Sequence, residues 1–575
     1  MTDNDPSFRG AGAPVVAPIA PSPAAPVSAR ELVESAASSQ RSAALDSAHL
    51  GDIEGALGSI SITDTDSART LKTRLLTLLA IVGPGLIVMI GDNDAGGVAT
   101  YAQAGQNYGY SLLWVLLLLI PVLIVNQEMV VRLGAVTGVG HARLINERFG
   151  RGWGWFSVGD LFVLNFLTIV TEFIGISLAA SYFGISKWIV VPSAAVALVA
   201  IMATGSFRRW ERAMFVFIAI TLLQIPMLLM SHPDWGRAAH DFVVPGIAGG
   251  MSSDAVLLII AIVGTTVAPW QLFFQQSNII DKRITPRFIS YERADTVLGA
   301  IVVVVGAAAL MMTADFAARS TDSVGNFIDA GDIARLLGMD SGTLGTIFAI
   351  VLLDASIVGA AAVTLSTSYA FGDVFGLKHS LHRGFKDAKQ FYLSYSAMIV
   401  VAAAIVLIPN APLGLITTAV QALAGLLLPS ASVFLLLLCN DREVLGPWVN
   451  KRWLNIVAGL IVGVLLLLSG ILMATTMFPD LDVVTAGEYL AVAIVVLVVA
   501  AVGALRWLER RNPAASLPQS TPGDADKMQW RMPPLALLQP VKWSAGTKLG
   551  MLALRTYLVV GAILLVVKAV QLGGG

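Results

Sequence analysis

The chain has 575 residues, of which 56% are hydrophobic and only 13% are charged, and its mean hydropathy is +0.76. Soluble domains carry about 25% charged residues, so this composition excludes an ordinary soluble protein and predicts an all-α polytopic membrane protein. The formal net charge of −1 says nothing about partners, and we expect a lipid bilayer but no nucleic acid. The single cysteine, Cys439, excludes a disulfide within the chain.

The first 68 residues differ from the remainder. Met1 to Ser47 are rich in Ala, Pro and Ser and contain no continuous apolar stretch of the kind that a signal peptide requires. We therefore predict a disordered tail over 1–68, within which Asp52 to Asp66 could hold a short amphipathic piece.

Apolar runs of about 20 residues, the length that crosses the hydrocarbon core of a bilayer, recur through the rest of the chain. They predict about 12 or 13 transmembrane helices, of which the first and the sixth are interrupted. A polar, Pro-rich linker at 512–550 separates the last run from the others, and we therefore predict that this run is an extra C-terminal helix. The predicted spans are 76–107, 111–134, 157–182, 187–205, 211–231, 254–280, 294–315, 343–370, 393–409, 413–438, 453–476, 485–505 and 554–573.

Lysine and arginine are concentrated in every second loop. Arg69, Lys72 and Arg74 precede the first span, and basic clusters follow the even-numbered spans. Basic loops face the cytoplasm. The alternation predicts a multi-pass protein of the cell membrane whose N-terminus and 512–550 linker are cytosolic.

Two aspartates interrupt the first span. Asp92 and Asp94 follow a long apolar run, and glycines at 91, 96 and 97 surround them. Carboxylates at this depth are costly unless they face a cavity, a partner or a cation, and glycines are residues at which a helix breaks. The motif predicts an unwound membrane helix that presents acidic groups to a cation.

A proline interrupts the sixth span. Pro269 removes an amide hydrogen and clashes with the preceding turn, while Thr265 and Thr266 can satisfy the freed backbone groups. Alone, Pro269 would be read as a kink in a structural helix. Paired with the break at Asp94, it predicts a transport site between two inverted five-helix halves.

Several short motifs occur in the order found in one transporter family. The chain resembles the NRAMP family of divalent-metal transporters over roughly 75–445. The segments that carry this resemblance are Gly83-Pro84-Gly85-Leu86, Asp94-Ala95-Gly96-Gly97, Leu113-Trp114, Gln127 to Gly134 with Thr137-Gly138, Thr171-Glu172-Phe173-Ile174-Gly175, Gly264 to Trp270, Gln421 with Pro429, and Asn440-Asp441-Arg442.

The resemblance implies a LeuT-like fold. Its transport core would cover helices 1–10 over 75–445, followed by helices 11–12 over 453–505. A metal site would lie between helices 1, 6 and 10. There Asp94 stands at the family's metal-binding aspartate, and Gln421 stands at its tenth-helix glutamine.

Five positions depart from the family pattern at this site. Ala95 stands where the family has Pro. Gly97 stands where the family has a coordinating Asn, and Ala268 replaces the Met that offers a thioether. Trp270 replaces the His after the proline, and Ile169 replaces an acidic residue three positions before Glu172.

These departures favour a hard cation. A thioether suits transition metals, and Mg²⁺ dehydrates reluctantly and is often held by one or two carboxylates through water. We therefore predict transport of hydrated Mg²⁺, with Mn²⁺ as a further cargo, as in the NRAMP-related magnesium transporters. Asp92 is either a second acid for this ion or the cap of the following helix. The predicted ion-facing residues are Asp94, Asp92, Gly91, Gly97, Thr265, Ala268 and Gln421.

Proton coupling is expected to be weak or absent. Trp270 cannot titrate as a His does, and Glu172 remains as one acid of a proton relay. We assign Glu172 and Trp270 to a proton pathway or to gating, and we predict downhill uptake by alternating access.

Two alternatives stay open at this point. One is a proton-coupled Mn²⁺ or Fe²⁺ importer of the same family, and the other is a LeuT-fold carrier of an organic solute such as an amino acid. An enzyme is not expected, since neither a His-Glu-x-x-His pattern nor a phosphate-binding loop is present. No cofactor is expected, and the oligomeric state stays open, although a monomer would suffice.

Overall fold

Helices make up most of the computed structural model, which describes residues 47–61, 70–409 and 413–478, with short stretches between residues 481 and 563. Helices satisfy every backbone group internally, as a bilayer requires. We label them α1 (Leu71–Ile81), α2 (Pro84–Ile90), α3 (Ala95–Tyr108), α4 (Leu113–Thr137), α5 (His141–Phe149), α6 (Arg151–Tyr182), α7 (Lys187–Met202), α8 (Phe207–Thr221), α9 (Gln224–Met230), α10 (Trp235–Val243), α11 (Ser253–Thr266), α12 (Pro269–Asp281), α13 (Ile289–Ser320), α14 (Ala330–Asp340), α15 (Gly342–Phe375), α16 (Lys389–Leu407), α17 (Leu413–Cys439), α18 (Arg442–Leu445) and α19 (Arg452–Met477).

Eight helical segments in the described part of the chain are long and apolar enough to cross a membrane, and ten are when each bent pair counts as one span. The predicted fourth span appears as α7, an apolar helix of 16 residues. The predicted spans at 485–505 and 554–573, and the linker at 512–550, lie largely outside the described residues. The third, seventh and eighth spans extend beyond their apolar runs, because helical hydrogen bonding continues past the hydrocarbon core.

The first span is broken twice, whereas one break was predicted. Besides the break at Gly91–Asp94, α1 and α2 meet at an angle of 50°, where Gly83 has a positive φ of 155°. Lys282 Nζ donates to the carbonyls of Ile81 and Val82 at 2.7 and 2.9 Å, and Asp295 accepts from the amides of Gly83 and Gly85. The bend therefore exposes backbone groups that distant side chains satisfy.

The sixth span breaks where Pro269 predicts. Helix α11 ends at Thr266, and α12 begins at Pro269 after Val267 and Ala268, of which Ala268 is extended with φ −89° and ψ 144°. Pro at the first position of α12 suits a helix start, since its missing amide would have no partner there.

The two broken spans meet at the centre of the helix bundle. Helices α2 and α3 pack on α13, while α12 packs on α4 and α15, and α11 packs on α17. Among the described helices, α6 and α15 make the most extensive contact. This arrangement confirms the all-α, LeuT-like fold and brings helices 1, 6 and 10 together.

Part of the predicted disordered tail is folded. Residues 47–49 form a 3₁₀ turn, and β1 (Ile53–Gly55) pairs antiparallel with β2 (Gly58–Ile60) in a short hairpin. Ile53 and Ile60 lie opposite each other and are 5% and 7% exposed. The hairpin is ordered because these two side chains pack against the end of α1, a partner that the local composition does not reveal. Residues 1–46 lie outside the described residues.

Candidate functional site

Asp94 caps the second half of the first span. Its Oδ1 accepts a hydrogen bond from the Gly97 amide at 2.7 Å, and its backbone is extended before α3 begins at Ala95. A carboxylate at this position satisfies free amides and complements the positive end of the helix dipole. The side chain is 5% exposed, so its second oxygen is held inside the bundle.

Asp92 does not cap α3, and the alternative that it does is therefore wrong. Its Oδ1 accepts a hydrogen bond from Gln271 Nε2, and Gln271 Oε1 in turn accepts from Gln127 Nε2 at 3.2 Å. The amide chain from α4 through α12 holds the Asp92 carboxylate in place. Its Oδ2 is buried without a hydrogen-bond partner among the described residues.

Glu172 lies beside Asp94. Its Oε2 accepts a hydrogen bond from the Ala95 amide, the first of α3, at 3.1 Å. A Cβ placed on Gly359 of α15 would lie 2.8 Å from Asp94 Cβ and 2.7 Å from Glu172 Oε2. The two carboxylates are thus neighbours, and Gly359 leaves the room that they occupy.

The break in the sixth span brings small and aromatic residues to the site. Thr265 is 4% exposed, and its hydroxyl has no hydrogen-bond partner among the described residues. Ala268 offers a methyl group and is 7% exposed. Trp270 is 1% exposed, and its ring would lie 3.2 Å from a Cβ on Gly91. The indole therefore packs against the first break and fills the space beside it.

Gln421 of α17 closes the site from the third side. A Cβ on Gly96 would fall 1.6 Å from Gln421 Nε2, so this amide rests directly on the start of α3. A Cβ on Gly97 would lie 2.8 Å from the Asp92 carbonyl oxygen, so the missing side chain leaves no open space at this position. The unwound chain folds back over this position and occupies the volume.

Four buried oxygen atoms around the two breaks have no hydrogen-bond partner among the described residues. Buried polar atoms are nearly always paired with protein, water or an ion. Carboxylate, amide and hydroxyl oxygens are the ligands of hard cations. In the described part of the chain, no three His, Cys, Asp or Glu side chains converge as a direct metal-binding group. The four atoms are Asp92 Oδ2, Asn93 Oδ1, Thr265 Oγ1 and Glu172 Oε1.

Two cavities lie on opposite sides of this centre. One of about 20 Å³, lined by Ala95, Thr171 and Thr417 among others, is no larger than a water molecule. The other, of about 290 Å³, lies on the side of the N-terminus at the ends of α4, α12 and α15.

Polar groups line the larger cavity. Burial lowers the pKa of His379, but the Asp373 carboxylate, 3.3 Å away, overcomes this effect and raises the pKa above its usual 6.5. Burial lowers the pKa of the neighbouring His141 to about 4. His379 and Asp373 therefore favour a charged pair at this end of the bundle, whereas His141 stays neutral.

Sequence reasoning missed the amide and hydroxyl partners of the site. Gln271 holds Asp92, Asn93 Nδ2 donates to the Val303 carbonyl at 3.1 Å, and the hydroxyls of Tyr101 and Thr266 are 2.7 Å apart. The sequence feature that could have identified these partners is the presence of uncharged polar residues beside the breaks in apolar spans.

Comparison with known proteins agrees with this geometry. The sequence model of the Nramp family, described as natural resistance-associated macrophage protein-like, matches residues 85–475. The chain is 30% identical over 407 residues to the divalent metal cation transporter MntH of Ralstonia nicotianae, covering 66% of this chain and 87% of that one. It is 27% identical over 403 residues to MntH of Burkholderia ambifaria, covering 68% and 87%.

A solved structure shares the fold. The Eremococcus coleocola manganese transporter, in complex with an aromatic bis-isothiourea substituted compound, superposes with a TM-score of 0.58 at 22% identity. The match covers 78% of this chain and 98% of that one. With its family match over 85–475 and two broken spans meeting at buried carboxylates, the chain belongs to the Nramp family.

Proposed function

We propose that this Nramp protein transports divalent metal cations by alternating access. We further propose that its preferred ion is Mg²⁺ carrying part of its water shell, with Mn²⁺ as a lesser cargo and with weak or no proton coupling. The family match and the relatives named divalent metal cation transporters support the class of cargo.

The observation that carries the choice of Mg²⁺ is the chemistry of the unpartnered buried atoms at the site. The unpartnered buried atoms around the breaks are oxygens of Asp92, Asn93, Thr265 and Glu172, and Ala268 supplies no sulfur where the family has a thioether. Hard cations prefer oxygen, whereas thioethers select softer metals. A hydrated ion needs few direct protein ligands, which agrees with a site that lacks a compact group of metal-binding side chains among the described residues.

The groups around Glu172 support the proposal of weak proton coupling. Ile169, one helical turn away, is fully buried and carries no proton, and Trp270 cannot exchange one at physiological pH. Glu172 has Asp94 as its neighbouring acid. Neither Ile169 nor Trp270 offers this acid pair a further titratable group, which supports transport without an obligatory proton partner.

The test is ion flux into liposomes that contain the purified full-length protein. We expect Mg²⁺ uptake driven by an inside-negative potential, without acidification of the lumen. Ala268→Met is the matched variant, since it restores the thioether without altering charge. Mg²⁺-driven acidification at a fixed ratio, or Mn²⁺ uptake that millimolar Mg²⁺ leaves unchanged, would overturn the proposal.

A proton-coupled Mn²⁺ importer is the second candidate. The name of the Eremococcus coleocola manganese transporter, which shares the fold, favours it, as does the direct contact between Glu172 and the start of α3. Glu172→Gln separates the two candidates. It would abolish Mn²⁺-dependent proton influx in a coupled importer, whereas it leaves the ion-to-proton balance unchanged in an uncoupled one.

A further inference from the structure

Residues 47–61, here called the latch segment, are folded onto the transporter although the transport site makes no use of them. They form the 3₁₀ turn and the β1–β2 hairpin at the N-terminal side of the bundle. Ile53 and Ile60 pack in the same apolar cluster as Ala80 and Ile81 at the end of α1. The hairpin is thus attached to the half-helix that precedes both breaks of the first span.

The latch segment also binds the fifth span. The Ala56 amide donates to Glu211 Oε2 at 2.5 Å, and Arg212 Nε donates to the Ala56 carbonyl at 3.2 Å. Glu211 Oε1 accepts from Lys282 Nζ at 2.7 Å, and both of these side chains are fully buried. The pair connects the hairpin to α8 and α12, while Lys282 also binds the last carbonyls of α1.

A third attachment joins the segment to the end of the sixth span. Arg283 donates through Nε and Nη2 to the Ala48 carbonyl at 3.0 and 2.9 Å, and through Nη1 to the Asp52 carbonyl at 3.0 Å. Arg283 has a positive φ of 65°, a conformation that is uncommon and costly outside glycine. The three hydrogen bonds to the latch segment offset this local cost.

His49 attaches the latch segment to the lining of the larger cavity. Its Nε2 lies 3.4 Å from Asp281 Oδ1, and its ring meets the ring of His379 edge-on at 6.0 Å. Asp281 is the last residue of α12 and also accepts from Tyr369 and from the Leu381 amide. His49 lines the 290 Å³ cavity together with Ser277, Asp373 and His379. The latch segment therefore forms one wall of this cavity.

We propose that residues 47–61 form a latch that ties half-helix α1 to α8 and α12 and restricts access to the N-terminal-side cavity until it is released. Helix α12 begins at the ion site with Pro269 and ends at the latch with Asp281, so movement of this half-helix must break the His49 and Arg283 contacts. The latch would regulate the proposed transport site. It therefore rests on the proposed function, because it assumes that the ion passes through this cavity.

The test measures exposure of the cavity without measuring transport. In full-length protein carrying Cys439→Ser and Ser277→Cys, a charged methanethiosulfonate reagent labels position 277 at a rate set by access to the cavity. Ile53→Asp breaks the apolar contact with α1. Leu57→Asp, at the 52% exposed hairpin tip, adds the same charge as a matched control.

We expect Ile53→Asp to speed labelling about tenfold or more, because several net-stabilising contacts are lost together, and we expect Leu57→Asp to match the parent. Arg283→Gly serves as a second variant, since it removes the three hydrogen bonds and suits the positive φ. Labelling within about twofold of the parent in folded Arg283→Gly protein would overturn the latch, even if Ile53→Asp fails to fold.

Ion flux separates this inference from the proposed function. The same variants, reconstituted in liposomes with Mg²⁺ as the probe, should carry the ion several-fold faster than wild type if latch release limits turnover. Faster labelling with no Mg²⁺ flux in any variant would support the latch and overturn the Mg²⁺ proposal. Unchanged labelling with robust Mg²⁺ flux would overturn the latch and support the Mg²⁺ proposal.

Discussion

Removing the charge of Asp94 while keeping its hydrogen bond isolates the role of this carboxylate. In the wild type, the Gly97 amide donates to Asp94 Oδ1 at 2.7 Å. Asp94→Asn retains a side-chain oxygen that can accept this hydrogen bond, and Asn caps helices about as well as Asp. The fold should therefore be kept, whereas Asp94→Ala should lose ~1 kcal/mol of stability with the cap. Comparing the Asn and Ala variants therefore separates the structural role of Asp94 from its role in ion binding.

The effect on transport follows from the lost charge. Two unit charges 4 Å apart interact by ~4 kcal/mol at an effective dielectric constant of about 20, and a dication gains more. Since ~1.4 kcal/mol is a factor of ten, we expect Asp94→Asn to reduce Mg²⁺ flux below saturation by at least ~100-fold.

The assay is Mg²⁺ uptake into liposomes, read with an internal Mg²⁺ dye, beside thermal melting of the same preparations. The matched control is Asp354→Asn, another buried acid in a span, whose Oδ2 accepts from Thr221 at 2.8 Å. It should melt and transport as wild type does. If Asp94→Asn retained flux within about threefold of wild type, Asp94 would not be the ion-binding carboxylate and the reasoning would fail.

Three further changes test other parts of the molecule. Ala268→Met should shift competition from Mg²⁺ toward Cd²⁺ and Mn²⁺ by about tenfold, because a thioether suits softer ions; unchanged inhibition constants would contradict this. Lys282→Met should lower the free energy of unfolding by about 3–5 kcal/mol, because it leaves Glu211 charged, buried and unpaired; the double variant with Glu211→Leu should recover much of the loss. The raised pKa of His379 stabilises the folded state fully below about pH 6.5, and this contribution is lost as pH rises through the higher folded pKa. The melting temperature should therefore fall over that window in wild type but not in Asp373→Asn.

The sequence alone determined the class of protein and the two elements that matter most. Apolar runs placed most spans within a few residues of the observed helices, as in α4 and α16, because a bilayer demands apolar side chains over a fixed length. The breaks at Asp94 and Pro269 were also predicted. Their causes are local, since glycine and proline disfavour a continuous helix wherever they stand.

Tertiary structure alone decided which groups meet. Only the folded chain assigns the cap of α3 to Asp94 rather than Asp92, brings Glu172 beside it, and couples Asp92 to Gln271 across 179 positions of sequence. The additional bend at Gly83 and the order of residues 47–61 depend likewise on distant partners. A local sequence pattern indicates where backbone groups lose their helical hydrogen bonds and where a side chain can be buried. The partners of these groups depend on the packing of helices that are far apart in the chain.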